Sequence, residues 1–302
     1  MTLTAVLLLL VSAILHAGWN LIGKRNAPEA GTFLVASIVG VIFLAPFPVL
    51  YPEAIHAFSP EAWLLVIVAG FFQALYYTAL AGAYRNGDMS IAYPIARSSP
   101  ALVVMVVSLF LGRGDQVSRQ CILGILLVVA GGFLLPMRRF DDFRLQNYLN
   151  LSCVLAITAA FGTAGYSLVD DEALRRLRQA SGVTLASWQV TCVYAFFEAV
   201  TTVFWLTLLV AGRRRERAAF RTAASKGLVS GITMGLAIHL TYLFVLISMA
   251  FVSDVSFVVA FRQVSIPLGV LMGVVFLKEP GYRPKFIGTA LMFLGLVLVG
   301  TG

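Results

Sequence analysis

The chain has 302 residues, of which 60% are hydrophobic and only 12% charged, and its mean hydropathy is +0.91. Soluble globular domains carry about 25% charged residues, so this composition excludes the soluble classes of protein. The formal net charge is +8. Because the basic residues lie between apolar blocks, the charge indicates orientation in a membrane rather than binding of nucleic acid.

The apolar residues fall in long continuous blocks, each bounded by Gly, Pro or charged residues. About 20 helical residues cross a hydrocarbon layer about 30 Å thick, and continuous blocks favour helices over the alternating strands of a barrel. The sequence therefore predicts an all-α polytopic membrane protein, whose first block is retained and not cleaved as a signal peptide. The ten predicted transmembrane helices cover residues 3–23, 31–51, 62–84, 88–111, 119–136, 147–169, 184–211, 227–249, 252–277 and 285–301.

The loops differ strongly in positive charge between the two sides of the membrane. The side that holds the loops after the first, third, fifth, seventh and ninth helices carries fifteen Lys and Arg residues, and the other side carries five. We call the first of these the basic side. The positive-inside rule places the basic side in the cytoplasm, with both chain termini outside, and we expect a bacterial-type inner membrane.

Two arginines lie inside predicted helices. Arg97 falls in the fourth helix, within AYPIARSSP (92–100), and Arg262 falls in the ninth. An arginine at a helix centre costs about 2.5–3.5 kcal/mol on insertion scales, so each should face a wet cavity or a counter-ion. The guanidinium group suits carboxylates and phosphates, and the pair therefore predicts an anion site. Pairing with a carboxylate that locks helices together is the structural alternative.

The two arginines also occupy matching positions in an internal repeat. Residues 87–113 and 252–279 both begin near an Asp that precedes a Ser by two residues, and both end in Phe-Leu before a charged turn. The chain thus divides into two five-helix repeats, 1–137 and 138–302, which together form one transmembrane domain. Since five is odd, the repeats have opposite orientations, an arrangement typical of transporters with a substrate site near the midplane.

Glycines and prolines extend this pattern. The glycines of the fifth and tenth predicted helices show the same separation, at Gly124 and Gly131 and at Gly288 and Gly295. Prolines are expected to interrupt the arginine-bearing helices and expose backbone to the cavity. They stand at Pro94, Pro100 and Pro267.

Three motifs resemble EamA-type members of the drug/metabolite transporter superfamily: HAGWNLIGKR (16–25), GDMSIAYPIARSSP (87–100) and the turn FLKEP (276–280). The resemblance covers nearly the whole chain. It implies ten helices in two inverted repeats, a central cavity lined by helices 1, 3, 4, 6, 8 and 9, and commonly export of small metabolites. The family's acidic residue after helix 4 is replaced by GRGD (112–115), whereas Glu279 keeps it after helix 9.

Polar and aromatic side chains on these helices are the candidates for contact with substrate. Several are spaced three or four residues apart, which places them on one helix face. For the histidines, substrate contact and proton relay stay open beside a purely structural role. The predicted substrate-binding residues are His16, Trp19, Asn20, Gln73, Tyr77, Tyr93, Arg97, Tyr166, His239, Tyr242, Arg262 and Gln263.

Glu198 is the most deeply placed carboxylate, near the middle of the seventh predicted helix. We expect it to be a proton carrier or a fixed counter-ion to Arg97 or Arg262, and a lipid-facing or boundary position is the further alternative. The charged stretch DDEALRRLRQ (170–179) is predicted to form a short separate helix on the surface.

These patterns predict a secondary transporter, an exporter or exchanger, of a small anionic or zwitterionic metabolite such as an amino acid or organic acid. A flippase for an anionic lipid head group and a proton-coupled exporter of a neutral or cationic compound are the alternatives. The sequence has no phosphate-binding loop and no legible catalytic or metal-ligand cluster. We therefore expect no enzyme activity, no cofactor and no metal. The expected partners are the solute and the lipid bilayer but no nucleic acid, with the protein a monomer or homodimer.

Overall fold

The computed structural model describes residues 3–25, 29–110, 118–143, 148–180, 185–248 and 263–301, and within them the regular structure is entirely helical. The long apolar blocks account for this, because a helix satisfies its own backbone hydrogen bonds away from water. The described α-helices are α1 (Leu3–Arg25), α2 (Ala30–Leu44), α3 (Pro46–Leu50), α4 (Pro60–Asn86), α5 (Met89–Phe110), α6 (Arg119–Leu134), α7 (Leu151–Gln179), α8 (Ser187–Ala211), α9 (Arg214–Ser225), α10 (Leu228–Ser248), α11 (Ser265–Phe276) and α12 (Arg283–Thr301).

Each of the ten predicted membrane segments contains a helix, and the described residues form two helices more than predicted. The short α3 continues α2 after Ala45, and α9 lies between α8 and α10. Within the described ranges, six segments are long and apolar enough to cross a membrane. They are Val6–Arg25, Ala30–Leu50, Pro60–Asn86, Leu151–Gln179, Ser187–Ala211 and Leu228–Val245.

The predicted interruption of the fourth segment is wrong. Helix α5 runs without a break through Pro94 and Pro100. A proline removes one bond from the helical ladder, but a membrane helix held by neighbours tolerates that loss. Pro267 is the third residue of α11, where a missing N–H leaves no helical bond unmade.

The prediction of a separate helix at 170–179 is also wrong, since these residues complete α7. The segment has an apolar face, formed by Ala173, Leu174 and Leu177, that is buried in one cluster with Val190 and other residues of α8. Burial of that face favours continuation of the helix over a turn at the charged stretch.

The predicted glycine pairs meet in the structure. Gly124 of α6 lies against Gly295 of α12, and Gly131 of α6 lies against Gly288 of α12. A Cβ atom on any of the four would lie closer than 3.0 Å to the carbonyl oxygen of its partner. The helices therefore cross antiparallel with their backbones in contact, which only glycine permits.

The packing partners of the helices follow a regular pattern. Helix α4 packs on α7 and α8, whereas α10 packs on α1 and α2. Helix α5 packs on α7, whereas α11 packs on α1, and α5 and α11 also pack on each other. A buried cluster rich in tyrosine and alanine joins α1, α4, α5 and α7 at the centre, and the candidate site lies beside it.

Candidate functional site

A narrow central cleft opens between α1, α4, α5 and α7. It holds about 280 Å³ of unoccupied space, including its open mouth. Four of its lining residues were predicted from the sequence, namely His16, Tyr93, Arg97 and Tyr166. The full lining is His16, Tyr76, Leu80, Tyr93, Ala96, Arg97, Thr163 and Tyr166.

Arg97 supplies the positive charge of the cleft. Its side chain is half-buried, and its Nε donates to the Ser265 hydroxyl at 3.4 Å. Among the described residues no carboxylate lies within ion-pair distance of it, and in particular it does not pair with Glu198. Tyr93 precedes Arg97 by one turn and lines the same cleft, as the i, i+4 spacing predicts.

Aromatic rings form one wall of the cleft. The His16 ring lies 5.1 Å from the Trp19 ring and 5.9 Å from the Tyr93 ring, between centroids. Trp19 is buried and makes an edge contact with Tyr77 at 6.4 Å. Gln73 donates from Nε2 to the Tyr77 hydroxyl at 3.2 Å. Trp19, Gln73 and Tyr77 thus lie behind the residues that line the cleft.

Both the nitrogen and the oxygen of the Asn20 side-chain amide form hydrogen bonds within the protein. Its Nδ2 donates to the His16 carbonyl at 2.7 Å, and its Oδ1 accepts from the Tyr84 hydroxyl at 2.5 Å. The side chain is fully buried. These bonds join α1 to α4 and support the cleft from outside it.

Apart from Tyr166, the described candidates from the second half lie outside the lining of the cleft. His239 bonds through Nδ1 to the Gly235 carbonyl at 2.8 Å and packs against Gly40 of α2. Tyr242 packs on the apolar cluster around Leu44. Gln263 is buried just before α11, and the prediction for Arg262 lies outside the described residues.

Four lining residues were absent from the prediction, the apolar Leu80 and Ala96 and the polar Tyr76 and Thr163. Tyr76 is adjacent to the predicted Tyr77, and its ring makes an edge contact with Tyr166 at 6.1 Å. Thr163 precedes Tyr166 by three residues, so helical spacing places both on the same face of α7. That spacing was the available signal for Thr163.

Contacts between the two halves close the basic side of the protein. The Glu279 carboxylate accepts from the backbone N–H groups of Met89 at 2.7 Å and Ser90 at 2.8 Å, the first residues of α5. Lys278 has φ of 56°, in the left-handed region, and this turn directs Glu279 back toward α5. Glu279 of the FLKEP turn thus accepts hydrogen bonds from backbone N–H groups that have no partner within the first turn of α5.

Two lysines extend these contacts. Lys285 donates to the Ser90 hydroxyl at 2.7 Å, and Lys24 donates to the Gly87 carbonyl at 2.6 Å. We call Lys24, Gly87, Ser90, Glu279 and Lys285 the basic-side latch. It joins α1 and the start of α5 to the α11–α12 turn, and it lies at the end of the helices that bears the predicted cytoplasmic loops.

A second charged cluster on the basic side holds α9 against α2. The Glu29 carboxylate binds Arg85 and Arg215. The Glu216 carboxylate accepts from the Gly31 N–H at 3.1 Å. Burial raises the pKa of Glu216, and the neighbouring Glu29 carboxylate raises it further, although the Gly31 bond and the Arg85 charge oppose both effects.

Residues 3–137 match the model of the EamA-like transporter family. The match covers 135 of the 302 residues, so it is the first half of the chain that is similar to that family. It supports the resemblance seen in the motifs, and the long apolar helices agree with a multi-pass membrane protein.

The second half of the chain resembles a solved structure in its fold. A solved crystal structure, described only as that of a protein, superposes with a TM-score of 0.58 at 16% identity. The superposition covers 99% of this chain and 96% of the other. At that identity the likeness shows the fold alone. No curated protein matches the sequence.

Proposed function

We propose that this protein is an EamA-type secondary transporter that moves a small organic solute by alternating access between inverted repeats, 1–137 and 138–302. The packing pattern supports the repeats, since exchange of the halves turns each of the helix pairs named above into another of them. The reciprocal glycine contacts of α6 and α12 have the same symmetry. Such transporters bind substrate between their repeats, and the central cleft lies beside the α5–α11 contact.

We place the protein in a bacterial-type inner membrane, with the basic side in the cytoplasm and both termini outside. In this orientation the basic-side latch closes the cytoplasmic end. The cleft is narrow and leaves room for little more than a water molecule. A solute the size of an amino acid or organic acid therefore suits it better than a large drug, and its binding requires the cleft to widen.

The solute is anionic or zwitterionic, and the observation that carries this proposal is the charge of Arg97. A half-buried guanidinium without a described carboxylate partner, in a cleft lined by aromatic rings and hydroxyls, lacks the counter-ion that such a position normally requires. A carboxylate or phosphate supplies it, with the hydroxyls of Tyr93 and Thr163 as further hydrogen-bonding groups. Transport is driven by exchange, by the solute gradient, or by protons through Glu198.

Thermal stability of the purified protein tests the anion site directly, because a ligand that binds the folded state raises its apparent stability. Glutamate and phosphate should stabilise the natural protein, whereas a neutral sugar and a quaternary ammonium ion should not. Arg97→Gln removes charge-assisted bonds worth about 1.5–3 kcal/mol and should weaken anion binding roughly 10- to 100-fold.

Arg176→Gln is the matched control, since Arg176 is exposed and paired with Glu172. It should leave the anion response unchanged. Stabilisation by cations alone, or an anion response that persists in Arg97→Gln, would contradict the proposed solute class. Uptake into proteoliposomes then separates binding from transport.

A further inference from the structure

Two acidic side chains are buried together between α7 and α8. Asp170 is 7% exposed and Glu198 is 8% exposed. The hydroxyl of fully buried Tyr194 donates to Asp170 Oδ1 at 2.6 Å. Glu198 follows Tyr194 by one turn of α8 and therefore lies on the same face, where its charge interacts with that of Asp170. We call Asp170 and Glu198 the carboxylate pair.

The carboxylate pair lies one helical turn from the central cleft. Asp170 follows the cleft residue Tyr166 by four residues on α7, so the two share a face. On α4, Tyr77 is close enough to interact with Glu198, and its ring lies 5.1 Å from that of the cleft residue Tyr76. A charge on the carboxylate pair therefore changes the electrostatic potential in the cleft that holds Arg97.

The described neighbours of the pair offer it no positive partner. Tyr77 of α4 and Tyr242 of α10 are the titratable groups that face it from those helices. Helix α2 and α3 present apolar side chains, as does the turn before α4. The described cations of α7 have other partners, since Arg175 and Arg176 pair with Glu172 and Arg178 donates to the Thr191 hydroxyl at 3.1 Å.

An unsatisfied hydroxyl also points to a bound species at this position. Thr202 follows Glu198 by one turn on the same face of α8 and is 3% exposed. Its Oγ1 has no hydrogen-bond partner among the described residues. Buried hydroxyls are normally bonded, so a protonated Glu198 carboxyl group or a water beside it is a suitable partner for the Thr202 hydroxyl.

Two adjacent carboxylates cannot both stay ionised inside a membrane protein without a cation, because desolvation and mutual repulsion oppose it. We propose that Asp170, Tyr194 and Glu198 form a proton-binding site that couples proton movement to the transport cycle. This inference rests on the proposed function. Tyr194 holds Asp170 by donating its hydroxyl hydrogen, and Glu198 accepts the transported proton, which changes its charge from −1 to 0.

The geometry favours a proton over a metal cation, since Tyr194 already occupies Asp170 Oδ1 and the described residues include no group of three His, Cys, Asp or Glu side chains that could hold a metal ion. It also gives the sign of the coupling. When Glu198 is ionised it repels an anion in the nearby cleft, and its protonation weakens that repulsion. By linkage, anion binding at Arg97 then favours proton binding by the same factor, so the two move in the same direction.

Infrared difference spectroscopy of the protein in lipid nanodiscs tests the proton site without any solute. A titration in pH should show the C=O band of a protonated carboxylic acid that disappears as the pH rises. Glu198→Gln should abolish the band. Tyr194→Phe removes the hydrogen bond to Asp170 and should move the midpoint of the titration. Glu172→Gln, at an exposed carboxylate of the same region, should change neither.

The inference is overturned if no such band exists, or if it survives in both Glu198→Gln and Asp170→Asn. It is also overturned if sodium, and not acid, raises the thermal stability in a manner that Glu198→Gln removes, because the pair is then a cation site. If Asp170→Asn does not fold, Tyr194→Phe and Glu198→Gln still decide the result.

Proteoliposomes separate this inference from the proposed function. A glutamate gradient should drive protons in the same direction as glutamate, and Glu198→Gln should abolish the pH change in the lumen. If the carboxyl band behaves as expected but no glutamate moves in any direction, the proposed anion transport fails and the proton site stands. Glutamate transport that proceeds without proton movement overturns the coupling.

Discussion

At the scale of single residues, Glu216 links stability on the basic side to pH. Its folded-state pKa is raised by burial and by Glu29, so the folded protein holds this proton more tightly than the unfolded chain does. The resulting stabilisation is complete below the ordinary pKa range of a glutamate and is lost as pH rises through the raised value. The melting temperature should therefore fall over that window, and Glu216→Gln should flatten the fall because a neutral amide still accepts from Gly31.

Glu53→Gln changes an exposed carboxyl group in the turn before α4 and is the control for this prediction. Melting curves of the three proteins, recorded in one detergent across that pH range, provide the measurement. An equal pH dependence in Glu216→Gln and the natural protein would show that the buried group does not cause it.

At the scale of helices, the α6–α12 crossing should be intolerant of a single methyl group. Gly131→Ala places a Cβ against the Gly288 carbonyl, and relief of such overpacking typically costs about 1–3 kcal/mol. Gly132, the next residue, has no atom within 4 Å of a Cβ. Gly132→Ala should be neutral or stabilise the helix by up to about 1 kcal/mol. A lower melting temperature for Gly131→Ala alone confirms the crossing, and equal values for both variants would contradict it.

At the scale of the whole molecule, the basic-side latch should control how often that end opens. Glu279→Ala removes two charge-assisted bonds between the halves, each worth about 1.5–3 kcal/mol, so the open population should rise about tenfold or more. Met89→Cys, in a background without the native cysteines, reports opening because position 89 is fully buried. Its reaction with a membrane-impermeant maleimide should be correspondingly faster in Glu279→Ala.

Glu279→Gln keeps one acceptor oxygen and should react at an intermediate rate. Glu172→Ala removes an exposed carboxylate outside the latch and should leave the rate unchanged. If Met89→Cys reacts equally fast with and without Glu279, the latch does not hold the basic side closed. A melting curve for each variant distinguishes opening from unfolding.

The positions of the helices could be predicted from the sequence because each apolar block has the length that a bilayer selects. Whether each helix continues without a break could not be predicted from the sequence. The proline residues of α5 and the charged end of α7 look like breaks locally, yet packing against neighbouring helices keeps both helices intact. Helix α9 was missed because it is polar along most of its length, and its burial depends on Glu216 meeting Gly31, 185 residues away.

The candidate site was predictable only where local spacing decides it. Tyr93 and Arg97 share a cleft because they are four residues apart on one helix. Helical spacing likewise places Thr163 on the same face of α7 as Tyr166, three residues later. The family resemblance implied that the helix of His239 and Tyr242 lines the cavity, but residues of α2 and α8 surround these two side chains. Which face of a helix meets the cavity depends on its packing partners. The partnership of Asp170 with Tyr194 joins two helices and has no signature in either one.

The glycine crossing of α6 and α12 has a consequence for motion. Two backbone contacts seven residues apart, about 10 Å along each axis, prevent both sliding and rolling of one helix against the other. In the proposed transport cycle the α6–α12 pair therefore acts as a fixed pivot, about which the remaining helices of each half rotate. Spin labels placed on α6 and α12 should keep one separation throughout the cycle, while labels across the latch should report two.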